Sequence, residues 1–265
     1  MGQNEHNWDA DDYEKNSSAQ LQWAEELIAK LGLLGSESIL DIGCGAGRIS
    51  ARLAAKVKYG SVVGIDLSES MIRHAIALFP SDRYPNLSFR LMDATEVDLP
   101  EKFDIAFSNA VLHWVRNHPA VLRGVRSCLK KGGRILFQMG GRGNASGILE
   151  VLQGIQAHPK WRSYFEAFTP PYHFLGPEEY IGWLREAGFL PVRVDLIPKD
   201  MQHSLEGLIG WLRTTWFPYT DCLPIELRDP FLRGLADAYC AKHPPDPGGL
   251  IHVKMVRLEV EATAM

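Results

Sequence analysis

Between residues 38 and 137, short apolar runs alternate with stretches whose apolar residues recur every three or four positions. Ile39-Leu40-Asp41-Ile42 reads as a strand, and the helix after it carries Ile49 and Leu53 on one face. Val62-Val63-Gly64-Ile65-Asp66 is a second strand; Ser68 then caps a helix that lines up Met71, Ile72, Ala75 and Leu78. Leu87, Phe89 and Leu91 alternate as a third strand, and residues 103 to 107 form a fourth. Asn117-His118-Pro119 starts a helix with proline in its first turn, and Gly132-Gly133 is expected to end it before a fifth strand, Ile135-Leu136-Phe137. Strands separated by helices of this length require crossovers, so the pattern predicts a doubly wound, mostly parallel α/β sheet over residues 36 to 140.

The flanks are less regular. Ser17-Ser18-Ala19-Gln20 has the spacing of a capping box, and Leu21, Ala24, Leu27, Ile28 and Leu31 follow at helical spacing up to Gly32. Residues 141 to 175 are rich in glycine, proline and aromatics and predict no regular element. A helix is expected from Gly176-Pro177 to Gly188, a strand through Val192, Val194 and Leu196, helices over 205 to 216 and 225 to 241, and a last strand over 250 to 258.

Composition narrows the function. The 265 residues carry a formal net charge of −4 and are 46% hydrophobic, the balance of an ordinary globular protein without a broad basic surface. That speaks against a nucleic-acid partner held by its phosphates. The four cysteines, Cys44, Cys128, Cys222 and Cys240, are too scattered for a zinc site or a redox pair. No apolar run approaches the roughly 20 residues of a membrane span, and the polar, acidic start lacks the core of a signal peptide, so the expected location is the cytoplasm.

The chemistry sits at the strand ends. Asp41-Ile42-Gly43-Cys44-Gly45-Ala46-Gly47 closes the first strand with a turn against which a ligand can lie without a Cβ in the way. Its glycine spacing departs from the dinucleotide fingerprint, whose third glycine would fall on Arg48, and no phosphate-loop Lys-Ser/Thr follows. Asp66 ends the second strand, where a carboxylate can accept two ribose hydroxyls. Asp93-Ala94 follows the third strand, an acceptor for an exocyclic amine beside space for a flat base, and Ser108-Asn109-Ala110 follows the fourth. Open α/β sheets bind ligands at these carboxyl ends.

In order and spacing these segments resemble the class I methyltransferases that use S-adenosylmethionine, over roughly residues 38 to 137. The resemblance implies a seven-stranded Rossmann-like sheet with a helical cap and S-adenosylmethionine as cofactor. It implies cofactor contacts from Asp41, Gly43, Gly45, Asp66, Leu67, Asp93, Ala94 and Asn109. Trp8-Asp9-Ala10, Tyr13 and Gln20, with Leu112-His113-Trp114-Val115, are similar to the trans-aconitate and juvenile hormone acid methyltransferases, which methylate carboxylates of small acids. Residues 141 to 249 carry no comparable motif.

The expected plan is an entry segment and helix (1–35), a cofactor-binding core (36–140), a cap and substrate region with a sheet-completing strand near 190–197 (141–249), and a C-terminal strand (250–265). Substrate contacts are expected from Tyr13, Gln20, His113, Trp114 and Trp216, beneath an apolar lid of the 161–174 aromatics with Trp211 and Phe217. Gln20 is equally explained as a capping partner. His113 is the candidate catalytic residue, a hydrogen-bond donor that orients an acid or a base that deprotonates a phenol, amine or thiol. The favoured activity is O-methylation of a small-molecule carboxylate. Other uses of the cofactor (N-, C- or other O-methylation, or intramolecular cyclisation) and a non-catalytic binding module remain as alternatives. Nucleic-acid methylation would want an Asn/Asp-Pro-Pro-aromatic segment after the fourth strand, where Asn109-Ala110-Val111-Leu112 stands.

Overall fold

The computed structural model describes residues 18–265, with side chains from Trp23 onward. The elements are α1 (Ser18–Lys30), β1 (Ser38–Ile42), α2 (Arg48–Lys56), β2 (Ser61–Asp66), α3 (Glu69–Leu78), β3 (Leu87–Leu91), β4 (Phe103–Asn109), α4 (His118–Cys128) and β5 (Leu129–Gly140). They continue with α5 (Ser146–Ala157), α6 (Pro177–Glu186), β6 (Phe189–His203), α7 (Leu205–Thr215), α8 (Phe217–Asp221), α9 (Ile225–Lys242) and β7 (Ile251–Ala264). One seven-stranded sheet runs β3-β2-β1-β4-β5-β7-β6. The first five strands are parallel, and β7 lies antiparallel between β5 and β6.

The sheet is covered on both faces. On one, Leu27 and Ile28 of α1 with Leu31 just after it, and Leu53 and Ala54 of α2 with Val57 just after it, close over Ile39, Val62, Ile105 and Phe107. On the other, Val121, Leu122 and Val125 of α4 and Tyr180 and Leu184 of α6 close over Leu40, Ile42, Val63 and Ile65. Strands buried on both faces read as unbroken apolar runs, which is why β1, β2 and β4 were legible. Ser68 caps α3 through Met71 N–H and Asn117 caps α4 through Ala120 N–H.

The differences from expectation have local causes. Gly132-Gly133 does not end a helix: α4 stops at Cys128, and the two glycines lie inside β5, where its register against β4 shifts between Phe103 and Ile105. Residues 146 to 157, expected to be irregular, form α5, buried through Ile148, Val151 and Leu152. Its start carries no side-chain cap, and Ala145 there takes a φ of 50°, so the usual entry signal is missing. β6 is longer than expected and contains Pro191 and Pro198, which an edge strand tolerates because its outer N–H groups have no partner strand. β7 continues past residue 258 because Leu258, Glu259 and Val260 are all buried, which erases the two-residue alternation. The expected capping box at residues 17 to 20 falls on side chains outside the described residues.

β6 and β7 continue together beyond the last pairing of β7 with β5, Gly140 opposite Arg257. The extended ledge supports a separate apolar cluster in which α5, α7, α8 and α9 pack on Met201, Ile251, Val253 and Met255. This helical cap stands over the carboxyl ends of the parallel strands, and Trp23 of α1 joins it.

Candidate functional site

The turn after β1 is built by three glycines in the left-handed region: Gly43 at φ 72°, Gly45 at 52° and Gly47 at 80°. Their surroundings differ. A Cβ on Gly43 would fall 2.3 Å from the Val111 side chain, and one on Gly47 would fall 2.5 Å from Phe89. A Cβ on Gly45 would meet nothing within 4 Å. Gly43 and Gly47 are therefore fixed by packing, and Gly45 faces open space at the strand ends.

Asp66 borders that space. Its Oδ2 accepts the Gly45 N–H at 2.9 Å and its Oδ1 accepts the Ser68 N–H at 2.9 Å. A carboxylate has about four acceptor positions, so two hydroxyls can still be received. Burial pushes the Asp66 carboxyl above its ordinary range, while these backbone N–H groups oppose the shift. Asp41 lies deeper, 2% exposed, with the Ser50 hydroxyl of α2 donating to its Oδ2 at 2.6 Å. Burial, opposed by Ser50 and assisted by the charge of Asp66, raises its carboxyl to about 7. In this state Asp41 braces the turn from below.

Asp93 opens a single 3-10 turn, Ala94–Glu96, with Oδ1 accepting both the N–H and the hydroxyl of Thr95. Ala94 packs partly against the core. Leu67, beside Asp66, is 59% exposed, an apolar surface at the rim where a flat base could rest. Asn109 ends β4 only 8% exposed, and its Oδ1 is buried with no hydrogen-bond partner. An orphaned acceptor next to an open glycine turn and a carboxylate fits an adenosyl amino acid, which offers amines and hydroxyls to both.

Beyond Asn109, Ala110 sits at φ 60° and leads into the 3-10 turn Leu112–Trp114. The turn's His113 is buried, and the Gly140 N–H points at its Nδ1 over a long 3.4 Å. Because that N–H can only donate, Nδ1 is the acceptor and the ring proton is on Nε2. Burial first, then the charges of Arg257 and His118, lower the imidazole to about 3. His113 is a neutral donor at physiological pH and too weak a base to hold a proton there.

Around it the structure assembles an aromatic chamber. The His173 N–H donates to the His113 carbonyl at 2.7 Å, which brings in Tyr172 and Phe174 with ring planes 6° apart. Trp114 packs on Tyr172 at 4.7 Å and stacks on Phe217 at 5.6 Å, and Trp216 meets Tyr172 at 5.1 Å. A cavity of about 40 Å³, space for roughly three waters, lies between Ala110, His113, Trp114 and the cap helices, with Trp216 on its wall. Of the expected lid residues, Trp161 and Phe165 are instead in the core of the cap. Tyr13 lies outside the described residues, as does the side chain of Gln20. A larger open depression of about 510 Å³, between Gln156 and Pro170, is lined by Phe165 and Phe168 but by none of the strand-end residues.

Several cavity residues were not anticipated, chiefly Trp23, Thr215 and Arg257. Arg257 is 4% exposed, and its guanidinium lies 4.7 Å from the centre of the Trp23 ring. A signal for it exists in the sequence: Arg257 is in phase with Ile251, Val253 and Met255, all on the buried side of β7. A cation at an inward strand position is costly without a purpose. Among the described residues no group of His, Cys, Asp and Glu could hold a metal, and no helix is long and apolar enough to cross a membrane.

Residues 34–163 match the family profile of a methyltransferase domain. An uncharacterized methyltransferase of Schizosaccharomyces pombe, C70.08c, is 33% identical over 75% of this chain and 79% of its own length. The trans-aconitate 2-methyltransferase of Methylobacterium nodulans is 26% identical over 95% and 96% of the two chains. The fold matches the crystal structure of magnesium protoporphyrin IX methyltransferase from Synechocystis PCC 6803 with bound S-adenosylhomocysteine, at a TM-score of 0.57 and 17% identity over 100% of this chain and 90% of that one. With a third of its residues shared over three quarters of its length, the glycine turn and the acidic strand ends in place, this chain belongs to the S-adenosylmethionine-dependent methyltransferase family.

Proposed function

We propose that the protein transfers a methyl group from S-adenosylmethionine to a carboxylate oxygen of a small organic acid. The observation that carries this reading is the state of His113: buried, neutral, its Nδ1 occupied and its Nε2–H left as a donor beside the strand ends. Such a group cannot take a proton from a phenol or an ammonium at neutral pH, but it can orient an acceptor that needs no base. A carboxylic acid, with a pKa near 4, is already ionised. The full-length likeness to a trans-aconitate 2-methyltransferase supports a carboxylate acceptor as well.

In this reading Asp66 receives the ribose hydroxyls, Asp93 the adenine amine, and the open face of Gly45 the amino-acid portion, with Leu67 against the base and Asn109 Oδ1 receiving an amine. When bound, S-adenosylmethionine supplies a methyl carbon on a sulfonium sulfur; the carboxylate oxygen bonds to that carbon as the C–S bond breaks, no proton moves, and the products are a methyl ester and S-adenosylhomocysteine. The chain's task is then alignment and exclusion of water, which can supply on the order of 7–11 kcal/mol. His113 orients the acid, and the walls of Trp114, Tyr172, Phe174 and Trp216 keep solvent out.

The test is incubation with methyl-labelled S-adenosylmethionine and a panel of small acids, phenols and amines. Label is expected in base-labile esters, with S-adenosylhomocysteine formed in equal amount. Label in phenol ethers or amines alone would refute the carboxylate assignment. For the cofactor side, Asp66→Ala is expected to weaken S-adenosylmethionine binding at least tenfold by calorimetry; undiminished affinity in a folded variant would remove the ribose role.

A further inference from the structure

We propose that Trp211, Thr215 and Trp216 form a subsite for an uncharged carbonyl oxygen, and that the methyl acceptor carries such an oxygen besides the atom that receives the methyl group. The inference deepens the methyl-transfer reading and rests on it only for identifying the ligand with the methyl acceptor.

Helix geometry brings the three positions together. Residues 211 and 215 are one turn apart on α7, Trp216 is the residue that closes it, and all three line the cavity beneath the cap. The indole Nε1 of Trp211, the indole Nε1 of Trp216 and the Thr215 hydroxyl are buried with no hydrogen-bond partner. The two indole rings lie 5.9 Å apart at 77°. An indole N–H donates and cannot accept, so the two rings cannot satisfy each other.

The nearby acceptors are used or wrongly turned. Thr214 folds its hydroxyl back onto the Gly210 and Trp211 carbonyls at 3.1 and 3.3 Å, the common habit of a helical threonine. Thr215 does not follow it, and its own carbonyl takes the Tyr172 hydroxyl at 2.9 Å. His203 stacks on Trp211 with ring centres 5.5 Å apart and planes at 28°. An indole N–H lies in the plane of its ring, so a stacked imidazole meets the face of that ring and leaves the donor unmatched. Buried polar groups without partners are rare, and three at one helix end mark the place of a ligand's acceptor.

The chemistry of that acceptor follows from the donors. A carbonyl oxygen has two lone pairs and can take two N–H groups at once, with the hydroxyl beside it free to donate or accept. The set itself is neutral: Arg257, which lines the same cavity, comes from β7 and has interactions of its own. Neutral donors match an uncharged oxygen without burying a net charge. Trp23, Tyr172, Met201 and Met255 supply aromatic and thioether surface for the rest of the ligand. On its sheet side the cavity reaches Ala110 and His113, so a ligand held at α7 by its carbonyl extends towards the β4 end. A ligand without that oxygen leaves the donors buried and unpaired, and sites of this kind reject such analogues strongly.

The test begins with uncharged probes, by nuclear magnetic resonance on the full chain, saturated with S-adenosylhomocysteine and isotope-labelled at its tryptophan nitrogens. Acetophenone and ethylbenzene share a skeleton and differ in the oxygen. Acetophenone is expected to move two indole N–H signals downfield, the two that Trp211→Phe and Trp216→Phe remove, and ethylbenzene neither. The second arm is turnover of methyl-labelled S-adenosylmethionine with β-benzoylpropionate and γ-phenylbutyrate, acids that differ in the same way. The oxo acid is expected to show a kcat/KM at least tenfold higher. Thr215→Val, Trp211→Phe and Trp216→Phe are each expected to reduce that ratio at least threefold, whatever they do to both rates together. Thr215→Val changes little volume and keeps the test decisive should a tryptophan variant not fold. Signals that ignore acetophenone, or move equally with ethylbenzene, would show the donors to be met by water only and overturn the proposal. A ratio near one for the two acids, or one unchanged in all three variants, would overturn it as well. Esterification of neither acid, with acetophenone still moving the two signals, would defeat the carboxylate reading and leave the subsite standing. Equal esterification of both, with the signals unmoved, would do the reverse.

Discussion

At the scale of single residues the site is governed by burial of groups that prefer water. His113 is the first case. With its imidazole lowered to about 3 by burial and the neighbouring charge of Arg257, it does not titrate near neutrality. The pH profile of kcat/KM for an acid substrate is therefore expected to be flat between about pH 5.5 and 8 with respect to this residue, and His113→Gln, which retains an N–H donor, should keep part of the activity. A limb near pH 6.5 that disappears in the Gln variant, with total loss of turnover, would make His113 a base. Asp41 is the second case. Its carboxyl is raised to about 7 in the folded chain, against roughly 3.9 for an unperturbed aspartate. Below about pH 4 both states are protonated and nothing changes. Between about 4 and 7 the unfolded chain releases the proton and the folded chain keeps it, so stability falls as pH rises, by roughly 4 kcal/mol in all, and the loss persists above 7. Asp41→Asn removes it while keeping an acceptor for Ser50. Its advantage in urea unfolding over wild type, both without cofactor, should grow from near zero at pH 4 towards pH 7.5; parallel stability curves would contradict the assignment.

At the scale of elements, three glycines within five residues do different jobs that the sequence alone presents as one motif. Gly43 and Gly47 are crowded by Val111 and Phe89, whereas the space over Gly45 is open. Gly43→Ala and Gly47→Ala combine a clash with left-handed strain and should cost roughly 2–5 kcal/mol of stability. Gly45→Ala carries the strain alone, about 1 kcal/mol, and its main effect should be a tenfold or greater loss of S-adenosylmethionine affinity. Thermal shift and calorimetry on the three variants separate these outcomes, and equal melting temperatures across them would show the packing distinction to be wrong. Strand periodicity has the same limits. It marks β1, β2 and β4 because they are short and doubly covered, and it marks the edge strand β3 by alternation. It misplaces the start of β5, where a bulge admits two glycines, and the end of β7, where both faces go under. α5 was invisible for a different reason: it begins without a capping side chain, on a strained alanine, inside a stretch whose glycines and prolines read as loop.

At the scale of the whole molecule, the cap and the sheet share the site between them. The ledge of β6 and β7 carries Met201, Met255 and Arg257 up to the cap helices, while the glycine turn and Asp66 belong to the sheet. A ligand that bridges them must stabilise the folded chain by mass action. S-adenosylmethionine at a hundred times its Kd should contribute about 2.7 kcal/mol, a rise in Tm of roughly 5–10 °C for a chain of this size. The same concentration should shift Asp66→Ala far less; an equal shift would place the cofactor elsewhere. What the sequence by itself determined was the parallel sheet, the order of its strands along the chain, and the acids and glycines at the strand ends. Each of those signals is local, written in periodicity and in spacings of a few residues. Only the tertiary structure decided which glycine faces a ligand, that His113 is neutral, and that Trp23, Thr215 and Arg257, more than two hundred residues apart at the extremes, meet in one cavity. Those outcomes depend on burial and on contacts between distant segments, and burial is created by the packing of the whole chain.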